Sequence, residues 1–295
     1  MKIAFFDVKK EEKEFFKLKA DFFTYPAHES EGGDYEVISI FITSKITKEV
    51  LDKFPKLKYI QTRSTGYDHI DLVECYKRGI IVSNVRNYAG PAVGEFAFSL
   101  LFEAIRKTYI AINRVKNGNL DYEDLKGIEI FGKKVGVLGL GAIGRHIVNI
   151  AKGLGADVIG YVREKKDIDI SQTTSLKEAM DVDFLFIALP LTPKTKNLIN
   201  KETIKYFRGK VIINPARAEI ISKDVYESFD GVIAADVLPD WNLAKKDNII
   251  ATPHMAYYTK EALKRIMQIS LDNLNDYLSG KKPRYCLKDE LMKNY

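Results

Sequence analysis

The feature that most constrains this chain is the stretch Lys134-Val135-Gly136-Val137-Leu138-Gly139-Leu140-Gly141-Ala142-Ile143-Gly144. It reads as a short apolar strand running into G-x-G-x-x-G. A helical pattern follows from Arg145 to Leu154, then a second strand at Asp157-Val158-Ile159-Gly160-Tyr161-Val162. Each glycine has a physical task. Gly139 permits the tight turn at the strand end, Gly141 lets a pyrophosphate approach a backbone without a Cβ, and Gly144 lets the helix pack closely on the strand. The helix start offers free N–H groups and a positive dipole end. Strand, glycine turn, helix and second strand together predict a dinucleotide-binding unit.

The rest of the chain repeats that alternation. Strands are predicted at Lys2–Asp7, Asp21–Tyr25, Val37–Ile42, Tyr59–Arg63 and Ile80–Asn84, with helices at Lys9–Lys19, Lys48–Phe54 and Asp71–Arg78. Beyond the glycine turn, strands are predicted at Phe184–Pro190, Val211–Asn214, Gly231–Val237 and Ile249–Thr252, and helices at Ser175–Met180, Lys201–Phe207 and Lys223–Phe229. Strands joined by helical crossovers imply parallel, doubly wound sheets. Pro91–Arg106 carries almost no polar residue inside it, so a helix there must be buried, between domains or between subunits. Asn113–Glu129 reads as a polar connecting arm. Lys260–Leu278 is an amphipathic helix. These patterns place one domain at residues 1–88 with 260–295, and a second at 89–259.

Charge and composition narrow the function. The net charge of +6 is the balance of 46 basic and 40 acidic residues, which describes a mixed solvated surface and not a nucleic-acid footprint. Cys75 and Cys286, far apart in sequence, argue for a reducing compartment. The N-terminus meets Asp7 too soon for a signal peptide, and no apolar run is long enough to span a membrane. A cytoplasmic protein is expected, without nucleic-acid or membrane partners and without a metal.

Polar residues fall at the predicted C-terminal ends of strands, where ligands bind in open α/β sheets: Arg63, Asn214 with Arg217, Asp236, and His254. An arginine and a histidine projecting into one crevice suit 2-oxo acid chemistry. A guanidinium grips a carboxylate by paired hydrogen bonds, and an imidazolium donates a proton to a carbonyl oxygen as a hydride arrives. A strand-end arginine also serves as an ordinary surface ion pair, and a histidine taken singly is more often inert than catalytic.

Along nearly its whole length the chain resembles the D-isomer-specific 2-hydroxyacid dehydrogenases. Arg63-Ser64-Thr65-Gly66-Tyr67-Asp68-His69-Ile70-Asp71 resembles the family's substrate-loop motif. Tyr88 to Glu95 resembles the start of its interdomain helix, with Val93-Gly94-Glu95 in place of V-A-E, and Val135 to Gly144 its cofactor motif. Ile213-Asn214-Pro215-Ala216-Arg217 resembles I-N-T-A-R, and Thr252-Pro253-His254-Met255-Ala256 resembles T-P-H-I-A. The substrate-loop histidine and Tyr88 look closest to the D-lactate dehydrogenase branch.

The resemblance implies a Rossmann cofactor domain inserted in a flavodoxin-like substrate domain, and a homodimer. It implies Arg217 as the residue that orients the 2-oxo acid, and His254 as proton donor in reduction and base in oxidation. Backbone N–H groups of Ser64, Thr65 and Gly66 would receive the substrate carboxylate, with Tyr88 and Tyr257 shaping the pocket. Around the cofactor it places Gly139, Gly141, Ala142, Ile143, Gly144, Pro190, Pro215, Ala216, Arg217 and His254, with Asp236 beside the nicotinamide amide.

Two departures stand out. Trp241 falls where the family has a glutamate that pairs with the catalytic histidine, and Asp240 is the nearest carboxylate and the expected substitute. Val162 falls where an aspartate usually holds the adenosine ribose, followed by Arg163 and Glu164. Glu164 would serve NAD, while Arg163 would admit NADP. The expected cofactor is NAD(H), with NADP(H) as the alternative. The expected reaction is hydride transfer to a small 2-oxo acid of the pyruvate or glyoxylate type. The alternatives are a formate- or phosphite-type dehydrogenase, or an NAD(H)-sensing binding protein on the same scaffold.

Overall fold

A computed structural model of the chain describes residues 1–287. It divides into two compact units, one formed by residues 1–88 with the segment from Thr259 onward, the other by Ala89–Tyr258.

The first unit opens with β1 (Ile3–Phe5), α1 (Lys10–Phe16), β2 (Asp21–Phe22), β3 (Val37–Ile40), α2 (Lys48–Asp52), β4 (Tyr59–Thr62), α3 (Leu72–Lys77) and β5 (Ile81–Ser83). The five strands form one parallel sheet in the order β2-β1-β3-β4-β5. Strand alternation sends Ala4, Phe6, Ile38 and Ile60 into one core, against Val50, Leu51 and Leu72 of the helices. Thr47 and Asp71 cap α2 and α3 by accepting from Val50 N and Glu74 N.

The second unit begins with α4 (Gly90–Arg106) and α5 (Thr108–Lys116), followed by β6 (Lys134–Leu138), α6 (Ala142–Gly153), β7 (Asp157–Tyr161), β8 (Ser171–Thr173), α7 (Leu176–Met180), β9 (Phe184–Ile187), β10 (Val211–Asn214), α8 (Lys223–Ser228), β11 (Val232–Ala235) and β12 (Ile249–Ala251). Its seven strands are all parallel, in the order β12-β11-β10-β9-β6-β7-β8. The order reverses between β6 and β9, so the glycine turn leaves the sheet at its topological switch point. Then α9 (Lys260–Leu278), capped by Thr259, returns to the first unit and lays Leu274, Met267 and Leu271 against Ile3, Phe5, Val37 and Tyr59 on the sheet's other face.

The structure corrects the reading of α4. Its buried positions Ala97, Phe98, Leu101 and Ile105 lie within the second unit, in one core with Ile147 of α6, Val135, Phe186 and Ile213. An apolar helix was expected between domains or subunits; here the unit's own sheet and α6 cover it. Small residues set the spacing. A Cβ on Gly94 would lie 2.8 Å from the Cβ of His146, and one on Gly90 2.9 Å from the His146 ring. α5 and β8 were not foreseen. α5 has no buried residue, and the short polar β8 is half-exposed at the sheet edge, so neither leaves an apolar period in the sequence. The helix expected at Lys201–Phe207 is a 3-10 turn over Thr203–Tyr206. Among the described residues no helix is long and apolar enough to cross a membrane.

Gly94→Ala should force α4 and α6 apart. Overpacking of this kind costs about 1–3 kcal/mol, which lowers the melting temperature by roughly 2–4 °C per kcal/mol at this size. Thermal unfolding followed by circular dichroism checks it; an unchanged midpoint would mean that the two helices are not tightly apposed.

Candidate active site

The glycine turn is shaped as a phosphate cradle. Gly139 has φ +96°, and a Cβ there would sit 2.8 Å from the Ala188 carbonyl oxygen. A Cβ on Gly144 would overlap the Gly139 carbonyl oxygen, so the first turn of α6 lies directly on the end of β6. Gly141 differs from both. It is exposed, it occupies the N-cap of α6 with no side chain to cap the helix, and nothing lies within 4 Å of its Cβ position. Helix N–H groups with open space before them suit a pyrophosphate. Ala142 and Ile143, half-buried, form the rim.

Two loops leave the same sheet edge further along. Asn214 and Ala235 are paired across β10 and β11, and Ala235 and Ala251 across β11 and β12, so the three strands end in one row. The loop after β10 carries Arg217. Asn214, 1% exposed, holds it: its Nδ2 donates to the Arg217 carbonyl oxygen at 2.9 Å, and its Oδ1 accepts from Ala216 N at 3.1 Å. Tyr226 adds a hydroxyl bond to the Ala218 carbonyl oxygen. The half-buried Arg217 side chain donates through Nη1 to the Ala216 carbonyl oxygen at 3.0 Å, and its other N–H donors have no partner among the described residues. A guanidinium so placed has a free fork for an anion.

The loop after β12 carries His254 in the left-handed region, at φ +55°. That conformation is strained for a residue with a Cβ and needs outside support. Asp236, at the end of β11 and 1% exposed, supplies it. Its carbonyl oxygen accepts from His254 N at 2.8 Å. Its Oδ1 accepts from Thr252 Oγ1 at 2.7 Å and Met255 N at 2.8 Å, and its Oδ2 from Ala256 N at 2.9 Å. All four bonds fasten the segment on either side of the imidazole. Tyr257 stands edge-on to the His254 ring, with centroids 6.0 Å apart.

These contacts show how two candidate carboxylates are used within the fold. Asp236, expected beside a nicotinamide amide, bonds through both carboxylate oxygens to the histidine loop. Asp240 was expected to replace the missing glutamate. Its carboxylate instead caps the 3-10 turn Trp241–Lys245, accepting from Asn242 N at 2.9 Å and Asn242 Nδ2 at 3.1 Å, with Lys223 Nζ 4.0 Å away. The bond from Asn242 N holds the Asp240 carboxyl below its ordinary pKa. Trp241, at the glutamate's position, is 53% exposed.

Other candidates fall as follows. Pro215 is buried and Ala216 half-buried beside Arg217, while Pro190 is exposed just past β9. Arg163 and Glu164 are exposed past β7. In the first unit, the loop after β4 is held from within: Ser64 Oγ donates to the Gly66 carbonyl oxygen at 2.7 Å, Asn84 Nδ2 to the Thr65 carbonyl oxygen at 2.8 Å, and Thr65 Oγ1 to the Val85 carbonyl oxygen at 2.9 Å. The backbone N–H groups of Ser64, Thr65 and Gly66 bond to no other described residue. Tyr88 is buried, and its carbonyl oxygen accepts from Arg265 Nε. Arg63, named at the strand end, turns inward. It is fully buried, bonded to the carbonyl oxygens of Phe6 and Asp7, and its guanidinium lies 3.4 Å from Glu12.

Thr252 and Asn84 were not foreseen. Both are polar residues directly at or after a strand end, and that position is the only signal the sequence gives for them.

Comparison with known proteins agrees with this geometry. Residues 3–288 match the model of the D-isomer specific 2-hydroxyacid dehydrogenase catalytic domain. D-3-phosphoglycerate dehydrogenase of Methanocaldococcus jannaschii is 34% identical over 264 residues, covering 84% of this chain and 50% of that protein, so the chain spans about half its length. Glyoxylate reductase of Thermofilum pendens is 31% identical over 283 residues, 88% of this chain and 83% of that one. Among solved structures, D-lactate dehydrogenase of Aquifex aeolicus complexed with NAD and lactic acid superposes with a TM-score of 0.84 at 29% identity, covering 94% of this chain and 96% of that one. A matched family model across almost the entire sequence, on a fold with these strand-end loops, makes the chain a member of the D-isomer specific 2-hydroxyacid dehydrogenase family.

Proposed function

We propose that the chain is an NAD(P)-dependent D-2-hydroxyacid dehydrogenase that reduces a small 2-oxo acid of the pyruvate or glyoxylate type, and oxidises the corresponding D-2-hydroxy acid in reverse. One observation carries the reading. Arg217 and His254 leave the ends of β10 and β12, two strands apart and therefore about 10 Å at their roots, and each loop is fastened by a buried polar residue at a strand end.

The dinucleotide, when bound, supplies the hydride that reaches the carbonyl carbon. Gly141 and the start of α6 receive its pyrophosphate. Arg217 pairs with the substrate carboxylate and draws electron density toward the carbonyl oxygen. His254, protonated at the outset, gives that oxygen its proton as the alcohol forms, and takes it back in oxidation. Tyr257, edge-on to the His254 ring, limits the size of the group on C2. Asp236 acts through His254, by holding the loop in its left-handed turn. It is a positioning residue. With the glutamate replaced by Trp241 and Asp240 committed to a cap, a second reading has support: a dinucleotide-sensing protein in which the chemistry has lapsed.

We place the protein in the cytoplasm, on its unpaired cysteines, Cys75 and Cys286. We also take it to be a homodimer through the arm after α4. Arg114 ties the arm together by pairing with both Asp124 oxygens, and that pairing pulls the Asp124 carboxyl down to about 2. The arm nonetheless exposes Tyr109, Leu120, Tyr122 and Phe131, each by 67–76%. Nearby Phe102, Ile105, Ile128 and Phe131 line a hollow of about 430 Å³. Apolar groups exposed this fully on a rigid polar frame fit a second copy of the chain.

Two experiments follow. Purified protein given NADH or NADPH should lose absorbance at the nicotinamide band with pyruvate or glyoxylate. His254→Asn should lower kcat by about 10²–10⁴-fold, and Arg217→Lys should raise KM as the paired hydrogen bonds are lost. No turnover across a panel of 2-oxo acids, with dinucleotide still binding, would favour the sensor. In sedimentation, the wild type should be a dimer and Leu120→Asp/Tyr122→Asp a folded monomer; a monomeric wild type would refute the arm's role.

A further inference from the structure

One buried hydroxyl in the second unit is more than its packing calls for. Tyr226 of α8 is 0% exposed, and its ring lies in the core that holds Ile212, Ile220, Ile221, Val225 and Leu238. A phenylalanine would fill such a place without the cost of taking a hydroxyl out of water. Burial pushes the phenol up to about 12, so it keeps its proton. The hydroxyl spends its bonds on the segment that carries Arg217. It donates to the Ala218 carbonyl oxygen at 3.3 Å and accepts from Asn214 Nδ2 at 3.4 Å.

The direction of these bonds is fixed. A carbonyl oxygen only accepts, so the one proton of the Tyr226 hydroxyl goes to Ala218, and toward Asn214 the hydroxyl can only accept. Asn214 must therefore turn its NH2 group toward Tyr226 and its Oδ1 the other way. In that orientation the same NH2 donates to the Arg217 carbonyl oxygen at 2.9 Å, and Oδ1 accepts from Ala216 N at 3.1 Å. Reversed, the amide would set oxygen against the Arg217 carbonyl and nitrogen against the Ala216 N–H. The hydroxyl thus holds the Ala218 carbonyl directly and, through Asn214, the backbone on both sides of the Arg217 Cα. The helix under the ring is itself clipped: Lys246 Nζ donates to the carbonyl oxygens of Tyr226 at 3.1 Å and Glu227 at 2.6 Å, in the last turn of α8.

We propose that Tyr226 is a positioning residue for Arg217: its hydroxyl fixes the Asn214 amide, and with it the backbone from which the guanidinium reaches the 2-oxo acid. This rests on the reading of Arg217 as the group that pairs with the substrate carboxylate. A guanidinium meets a carboxylate through two parallel bonds, which tolerate little rotation of the fork. Tyr226 is fully buried, so it acts only through the loop. Without the hydroxyl, the Ala218 carbonyl and one Asn214 N–H lose their partner, and Asn214 loses the contact that dictates which way its amide faces.

Tyr226→Phe keeps the ring and removes the hydroxyl. With NADH or NADPH and glyoxylate or pyruvate, KM for the 2-oxo acid should rise roughly 3- to 10-fold, the factor that loss of a neutral hydrogen bond gives, with kcat nearly unchanged. Dinucleotide affinity, measured by calorimetry without substrate, should stay as it was. In an Arg217→Ala background there is no side chain left to aim, so Tyr226→Phe should leave the residual kcat/KM where it stands. An unchanged KM, or a penalty that persists in full beside Arg217→Ala, overturns the proposal. Amide hydrogen exchange at Ala216, whose N–H Asn214 accepts, follows the clamp with no substrate present. It should be slow in the wild type and roughly 3- to 10-fold faster in Tyr226→Phe, by the same bond energy; equal rates overturn the proposal whatever the protein turns over. If exchange responds in this way and the wild type reduces no 2-oxo acid, the clamp on Arg217 stands and the dehydrogenase reading falls.

Discussion

The site in the second unit depends on one buried carboxylate. Asp236 lies at the end of β11 with 1% of its surface exposed, and all three groups bonded to its oxygens are donors. That is the surrounding a carboxylate in its ionised, acceptor-only form requires. Burying such a charge unpaired would cost far more than any of these bonds returns singly. Charge-assisted bonds of about 1.5–3 kcal/mol each together make the burial tolerable, and in doing so they fix the backbone from Thr252 to Ala256. His254 is held in a left-handed turn because the residues on both sides of it have no freedom to relax.

The same device appears one strand over, in neutral form. Asn214 bridges Ala216 and Arg217 through its side-chain amide, as Asp236 bridges Thr252, Met255 and Ala256. Arg217 and His254 therefore each sit on a loop, while each loop is pinned to a strand end whose position is set by parallel pairing in a close-packed sheet. The glycine turn obtains rigidity differently, from backbone contact: Gly144 leaves no room for a side chain between α6 and the end of β6, and Gly139 none against the Ala188 carbonyl oxygen after β9. Gly141 alone is spared such contact, which separates the glycines that build the turn from the one that faces outward.

Most of this architecture was legible because it rests on period and on glycine. The buried strands Phe184–Ile187 and Val211–Asn214 announce themselves as apolar runs, and α9 spans the residues its amphipathic pattern marks. What was not legible has a common cause. α5 buries nothing, and β8 is a polar edge strand, so neither needed an apolar period. α4 was recognisably buried, yet sequence could not say by what; the answer lies in glycine-to-His146 spacing across to α6. Asp240 was chosen for its proximity in sequence, which does not record its use as the cap of a short helical turn. Asp236 was noticed as a strand-end acid, but its bonds to its own backbone depend on a loop sixteen to twenty residues away, which no local pattern records.

The central claim is that the Asp236 carboxylate holds the histidine loop closed. Amide hydrogen exchange at single-residue resolution measures it directly at Met255 and Ala256, whose N–H groups that carboxylate accepts. Met255 is 41% exposed, so its amide has no deep burial to protect it. The account predicts slow exchange at both amides in the wild type, and fast exchange confined to this loop in Asp236→Asn, where one acceptor oxygen is replaced by an amide nitrogen. Exchange at ordinary loop rates in the wild type, or protection that survives the substitution, would contradict it.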